Sequence, residues 1–511
     1  MEIFQALLYI GLLFSFSLVF YKLIFPSGRV QHKNLPPSPP RIPILGHFHL
    51  LKKPFHHALH NLSQKYGPVF FLWLGWRPVL VISTPSAIEE CFTKNDIIFA
   101  NRPLFPSTRL LEKGSLVMSP YGPYWRNLRR FAASEIFSSA RIQMTSRIRA
   151  DEVRCLAKKL FARGNRKPAE VNSLFYVLTF NIMMKMVSGE RYFEGDELES
   201  EKGRVEFNDI KQTFAPLSGP AVGDFFPFLE FLSNVIGRVK SERLQRKRDA
   251  FMQNLVDAQR RRKKRSCPVT EEGDEKRKNI IDVMLMLQES EPEFYTDAVI
   301  KAIIKMMLVG GTETSITTLE AAVSFLISHP NEFNKARDEI DSNVGQSRLM
   351  DDGDLSKLAY LHCIINETLR LGPAVPLIPL HESSRECVVG DFSVPSGTFL
   401  IVNTWALHND PGVWGDPTLF KPERFGGVEG EKVGFKLIPF GSGRRACPGE
   451  SLARRLIALA LGTLIQCFDW EKGEENHEGG GNGNGKRMEE EKTMQIVFRP
   501  RKALMDALSE L

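Results

Sequence analysis

One cysteine stands in a loop built from small, kinked and positively charged residues. The chain reads P-F-G-S-G-R-R-A-C-P-G from Pro439 to Gly449, with Cys447 near the end. Pro439 and Pro448 stiffen this loop. Gly441, Gly443 and Gly449 let the backbone pass close to a flat partner. Phe440 offers an aromatic wall, and Arg444 and Arg445 place positive charge just before the sulfur. The thiolate is the metal-ligating form of cysteine, and nearby arginine favours it. One thiolate, glycines against a flat face and an arginine for an acidic edge together suit a haem. Thiolate ligation of haem iron is the arrangement that favours O–O cleavage. The competing reading of this stretch alone is a Gly/Pro turn around a buried cysteine.

The stretch resembles the haem-binding loop of the cytochromes P450, F-x-x-G-x-R-x-C-x-G. Phe440, Gly443, Arg445, Cys447 and Gly449 fill every fixed position. A second stretch, G-G-T-E-T-S from Gly310 to Ser315, lies in an apolar-periodic segment. Two adjacent helical glycines cost roughly 1 kcal/mol each relative to alanine, so they need a reason. Close helix packing is one. The acid–alcohol pair Glu313-Thr314 favours another: glycine makes room, while carboxyl and hydroxyl pass protons through water. This stretch resembles the family's oxygen-binding segment, and the resemblance assigns Glu313 and Thr314 the catalytic proton delivery. Plant members commonly carry alanine and aspartate where this chain has Gly310 and Glu313.

Further pieces take their meaning from the same resemblance. Trp125 and Arg129 match W-x-x-x-R, whose ends the family uses to hold a haem propionate. One helical turn separates them, so both can face one ligand; alone, the pair would read as a cation–π contact. His381, in L-H-E-S-S, resembles another propionate partner, although an ordinary strand histidine reads the same. The cofactor set is then Trp125, Arg129, His381, Phe440, Arg445 and Cys447, with Cys447 as the metal ligand and haem b (iron protoporphyrin IX) as the group. Glu367 and Arg370 sit three apart on one helix face, where a surface pair would contribute little. In the family this motif and a later arginine, here Arg424 in P-E-R-F, form a buried structural triad.

The elements that must position these residues are legible in part. A helix is predicted from Asp297 to about Ser328, capped by Thr296 and stopped by His329-Pro330. Val69–Leu74 and Pro78–Ile82 read as paired strands around Gly75. Leu35 to Pro43, L-P-P-S-P-P-R-I-P, reads as a stiff extended spacer. The uncharged run Ile3–Tyr21 would span about 28 Å as a helix, close to a bilayer core. Lys22, Arg29 and Lys33 follow it, which puts the body in the cytosol. A cleaved signal peptide is disfavoured, because no basic n-region precedes the run. The domain reading is a transmembrane anchor at 1–25, a linker and proline-rich hinge at 26–45, and one haem-thiolate monooxygenase domain at 46–511. The fold class expected is mainly α with small β-sheets, the cytochrome P450 fold behind one N-terminal helix.

The net charge of +7 over 511 residues is too mild for a nucleic-acid footprint and permits contact with an acidic protein or anionic lipid. Seven cysteines without C-x-x-C indicate a reducing compartment. His47, His49, His56, His57 and His60 crowd together, but nothing nearby completes a zinc set. The basic run Arg260–Arg265 reads as a solvated helix end or loop rather than a nuclear signal, and 478–486 as a mobile low-complexity loop.

The motifs resemble most closely the plant microsomal group that hydroxylates isoflavones and lignans. That resemblance implies an NADPH- and O2-dependent monooxygenase in the endoplasmic reticulum membrane, acting on a small apolar isoflavonoid, lignan or terpenoid. No G-x-G-x-x-G unit is present, so NADPH would act through a separate reductase. Arg126, Arg130, Lys436, Arg444 and Arg455 are the candidate docking cations. An oxygen-independent isomerase or lyase is a rival that Thr314 disfavours. A non-catalytic haem or ligand-binding membrane protein is the other.

Overall fold

The segment apolar on every face becomes the core helix. It runs unbroken from Asp297 to Ser328, the bounds the sequence predicts. Val299, Ile300, Ile304, Leu308, Ile316, Leu319, Val323 and Leu326 are all buried along it. A helix hydrophobic all round belongs inside. Its beginning differs from expectation. Thr296 occupies the cap position, but its side chain makes no capping hydrogen bond. Asp297 anchors the start instead. Its carboxylate accepts from Arg260 at 2.5 and 3.0 Å and from Gln288 at 3.0 Å. The Arg260 bonds foremost hold that carboxyl well below the usual range, and an acid here also complements the helix dipole.

The structure is a computed structural model that describes residues 34–105, 114–164, 168–194, 200–215, 222–226, 230–265, 278–427, 433–473 and 494–511, with positions 11 and 15. The anchor expected at 1–25 apart from positions 11 and 15, residues 26–33 of the linker and the loop 478–486 lie outside these residues. Among the described residues no helix is long and apolar enough to cross a membrane. The basic run closes the helix Glu230–Arg265, as expected. Arg260, Arg262 and Lys263 pair with Asp297, Glu190 and Glu289 on neighbouring segments.

Small sheets flank the helices. The strands are β1 (Val69–Leu74), β2 (Arg77–Ile82), β3 (Ala169–Glu170), β4 (His381–Glu382), β5 (Cys387–Val389), β6 (Phe392–Val394), β7 (Phe399–Val402), β8 (Phe468–Lys472) and β9 (Gln495–Pro500). They form sheets of order β1-β2-β7-β4, β3-β9-β8 and β5-β6. The expected β1–β2 pair is an antiparallel hairpin with Val69 opposite Ile82. Gly75 turns it at φ +58°, and a Cβ there would stand 2.5 Å from the Phe225 carbonyl oxygen, so glycine is required. The edge strand β4 places His381 opposite Leu400.

The proline-rich stretch does not stand off as a free spacer. Pro36 and Pro39 are buried, and the Phe71 N–H donates to the Pro37 carbonyl at 2.8 Å. His47 is buried beside it, accepting the Trp73 N–H at 2.8 Å while its other ring nitrogen meets the Pro39 carbonyl at 2.9 Å. His56, His57 and His60 instead pack around Trp405, His57 stacking at 4.3 Å. These histidines therefore divide between two structural roles.

Glu367, Arg370 and Arg424 meet as the resemblance implies. Arg370 donates to both Glu367 oxygens at 2.7 and 2.8 Å, and Arg424 reaches the same carboxylate at 3.1 Å. Glu367 and Arg370 have no exposed surface. Arg370 also donates to the carbonyls of His408, Pro417 and Leu419, and the Lys421 N–H donates to Glu367. Breaking a buried pair strands a charge at a cost of about 3–5 kcal/mol. Glu367→Ala is therefore expected to lower unfolding free energy by about that amount in chemical denaturation; a loss below about 1 kcal/mol, the scale of an exposed pair, would refute a structural triad.

Candidate functional site

The cysteine loop is held by its own backbone. Gly441 and Gly443 take φ of +71° and +69°. The Cys447 N–H donates to the Phe440 carbonyl at 2.8 Å and the Ala446 N–H to Gly443 at 3.0 Å. The helix Glu450–Cys467 begins directly afterwards, so its positive end lies beside the sulfur. Among the described cysteines Cys91, Cys363, Cys387 and Cys467 are buried and Cys155 half-buried, whereas Cys447 is exposed. Surrounding protein nevertheless raises its thiol pKa; burial is the main cause, and Glu450 adds to it. A cleft of about 370 Å³ reaches the sulfur, lined by Arg129, Phe137, Cys447, Glu450 and Arg454. A metal would take up the thiolate, reversing the preference that burial imposes.

Positive charge gathers around this loop. Trp125 and Arg129 share the helix Pro123–Phe131. Arg129 donates to the Ala446 carbonyl at 2.8 Å, one residue before the cysteine. Arg445 lies over the Trp125 ring at 4.2 Å and donates to the carbonyls of Ala100 and Ser119 at 2.6 and 2.7 Å. The Trp125 N–H goes to the Leu116 carbonyl at 2.9 Å, so Trp125 enters the set through its ring. His381 is buried and holds the Phe99 carbonyl through Nδ1 at 2.6 Å. Burial, then Arg102 and Arg445, push its pKa well down, so the ring is neutral.

Burial and the neighbouring Arg129 bring Arg445 down to about 10. Burial lowers Arg129 as well. Among the described residues neither arginine forms a salt bridge to a carboxylate. Buried cations without acids are costly unless an anion arrives. The residues therefore fit a group that brings one metal for a thiolate and carboxylates for arginines, as haem does. Arg102 was missed as a site residue. It is buried and donates to the carbonyls of Val117 at 3.1 Å and Leu380 at 2.8 Å, which ties the strand bearing His381 to this cluster. Its one sequence signal was N-R-P at Asn101.

On the central helix the adjacent glycines separate into different tasks. A Cβ on Gly311 would stand 2.4 Å from Met183 Sδ, so Gly311 serves the close packing of the helix Val171–Ser188. A Cβ on Gly310 would meet nothing within 4 Å, and Gly310 is exposed although buried residues flank it on the helix. Glu313 and Thr314 are half-buried on the side of Gly310, and Thr317 continues that stripe. Thr314 donates to the Gly310 carbonyl at 2.7 Å and Thr317 to the Glu313 carbonyl at 2.9 Å. Each bond uses the one hydroxyl proton and leaves acceptor lone pairs toward the open side.

A cytochrome P450 family model matches residues 36–492. Cytochrome P450 81Q32 of Catharanthus roseus is 45% identical over 492 residues, covering 95% of each chain. The (+)-piperitol/(+)-sesamin synthase of Sesamum radiatum is 40% identical over 515 residues, covering 99% of each. An isoflavone 2'-hydroxylase of Glycyrrhiza echinata is 43% identical over 476 residues, covering 91% of this chain and 90% of its own.

The glycine pair yields a paired expectation. Gly311→Ala should destabilise by about 1–3 kcal/mol through overpacking against Met183, with Met183→Ala recovering part of the loss. Gly310→Ala should leave stability unchanged or raise it by up to about 1 kcal/mol. Equal destabilisation in thermal unfolding would show that both glycines serve packing.

Proposed function

The chain belongs to the cytochrome P450 family, and on that premise we propose that it is an NADPH- and O2-dependent monooxygenase of plant specialised metabolism, in which Cys447 would hold the haem iron. The observation that carries this reading is the exposed sulfur of Cys447 beside Arg129 and Arg445, which bridge no carboxylate among the described residues. When bound, haem supplies thiolate-assisted activation of O2. The protein's own part is to hold and orient the group, exclude water and move protons. Arg129, Arg445 and His381 would face the propionates, with Trp125 supporting Arg445 and Phe440 lining the loop. Gly310 would leave space for a small ligand beside the helix. Glu313 and Thr314 would bring protons to that space, Thr314 through its hydroxyl and Glu313 through its carboxyl.

The substrate class proposed is a small apolar isoflavonoid, lignan or terpenoid; the isoflavone hydroxylase and the piperitol/sesamin synthase among the relatives support the first two, and the terpenoid rests on the motif resemblance alone. Electrons from NADPH would arrive through a separate reductase at the face carrying Arg126, Arg130 and Lys436, all exposed. Arg444 and Arg455 are spoken for by Asp96 at 3.0 Å and Asp352 at 3.1 Å, which removes them from the front rank of docking cations. The proposed organisation is the anchor at 1–25, the linker and hinge at 26–45 and the catalytic domain at 46–511, on the cytosolic face of the endoplasmic reticulum.

Two substitutions test the assignment. Cys447→Ala should abolish the thiolate-type Soret band of the reduced carbon-monoxide complex; survival of that band would overturn the ligand assignment. Thr314→Ala should keep normal haem content while product formed per NADPH falls about tenfold or more, the difference appearing as peroxide. Unchanged coupling would remove Thr314 from proton delivery.

A further inference from the structure

Gly443 is a fixed position of the cysteine loop, yet its surroundings are not those of a residue making way for a flat cofactor. A Cβ there would stand 2.4 Å from Asp96 Oδ1 and 3.1 Å from the Phe92 carbonyl oxygen. Its φ of +69° disfavours a side chain in any case. The loop therefore lies against the end of the helix Pro85–Phe92 and the turn that follows. There the Arg444 N–H donates to Asp96 Oδ1 at 3.0 Å, and Arg444 Nε faces Asp96 Oδ2 at 3.0 Å. Arg445 reaches the Ala100 carbonyl on the same stretch. Residues 96–100 thus run beside residues 443–445 as a template. The template is itself fixed, since Asn95 donates to the Val388 carbonyl at 2.8 Å and the Asp96 N–H to Thr93.

We propose that Asp96 is a positioning residue for the thiolate. Its carboxylate pins the Arg444 N–H and so holds the loop in the shape that presents Cys447 to iron. The inference rests on the reading of Cys447 as ligand. The backbone bond carries the effect, and the ion pair does not. The Arg444 side chain is 50% exposed against 17% for Asp96, and an ion pair with one half-exposed partner contributes little. A carboxylate accepting a backbone N–H is charge-assisted and fixed in direction. It acts on the chain three residues before the sulfur. Ala446 is hydrogen-bonded to Gly443 and Cys447 to Phe440, so a shift at Gly443–Arg444 is passed to the ligand.

The test uses the haem-loaded, full-length protein and three variants, Asp96→Ala, Asp96→Asn and Arg444→Ala. The reduced carbon-monoxide complex is followed during mild warming, and the rate of conversion from the thiolate-type to the neutral-thiol-type Soret band is read. Asp96→Ala should convert about tenfold faster than the parent, the scale of a lost hydrogen bond to a charged acceptor. Asp96→Asn keeps an acceptor oxygen and should recover most of the parent rate. Arg444→Ala keeps its N–H and should stay within about twofold.

A second readout needs no variant. Hydrogen exchange on the parent protein should find the Arg444 amide protected. An Arg444 amide exchanging as fast as an open loop, an Asp96→Ala rate equal to the parent's, or an Arg444→Ala rate equal to that of Asp96→Ala would each overturn the proposal. Persistence of the thiolate-type band in Cys447→Ala would overturn the ligand reading and this inference with it. Loss of that band in Cys447→Ala with an unaffected Asp96→Ala would overturn the inference alone.

Discussion

A single buried carboxylate, Glu367, holds two guanidinium groups, Arg370 wholly buried with it and Arg424 reaching it from the edge of the core. Its pairing with Arg370 would be worth little on a helix surface. Buried, it becomes a constraint, because either partner left alone would be an uncompensated charge in a poorly polarisable interior. Arg370 spends its remaining donors on the carbonyls of His408, Pro417 and Leu419. Arg424 donates to the carbonyl of Gly415 at 2.9 Å as well as to Glu367. The stretch from His408 to Arg424 is thereby wound about one charge cluster, and this is the chain that leads into the cysteine loop. Little regular structure exists there to fix its course, so side-chain charge does what a backbone ladder does elsewhere.

The second charge cluster is unlike the first. Arg129 and Arg445 are partly desolvated and satisfied by carbonyls, with no carboxylate bridged to them among the described residues. Burial brings Arg445 down to about 10, which records the strain of keeping it charged. The same surroundings push His381 downward too, and from its lower ordinary value that leaves the ring neutral. The Glu367 cluster has its carboxylate within the protein, whereas among the described residues the one beside Cys447 has none, and under the proposed function an anionic ligand would supply it. That contrast separates a structural charge site from a binding site more clearly than motif spacing does. It also accounts for arginine at these positions, since a planar guanidinium can bind carbonyls and still present a face to Trp125.

Much of this was legible in the sequence, for identifiable reasons. The central helix was bounded correctly because apolar residues recur around all of it and His329-Pro330 stops it. The hairpin at Gly75 was readable because β-branched and aromatic runs flank a glycine. Glu367, Arg370 and Arg424 were nameable only through family resemblance, since spacing cannot tell a buried pair from an exposed one. Three features were not legible. Thr296 has a capping residue's identity, but Asp297 is anchored by Arg260 from a helix distant in sequence. The proline-rich stretch lies along β1 because His47 and Phe71 bond its carbonyls, and local composition records only its stiffness. Gly310 and Gly311 look alike in sequence and differ in what faces them. In each case the deciding partner comes from another part of the chain.

The account centres on one bond, between iron and the sulfur of Cys447. X-ray absorption at the iron edge of the haem-loaded, full-length protein measures that bond most directly. The account predicts one sulfur scatterer in the first coordination shell, beside the porphyrin nitrogens, and its loss in Cys447→Ala with nitrogen or oxygen in its place. A first shell of nitrogen and oxygen alone in the parent protein, or a sulfur scatterer that persists in the variant, would contradict it.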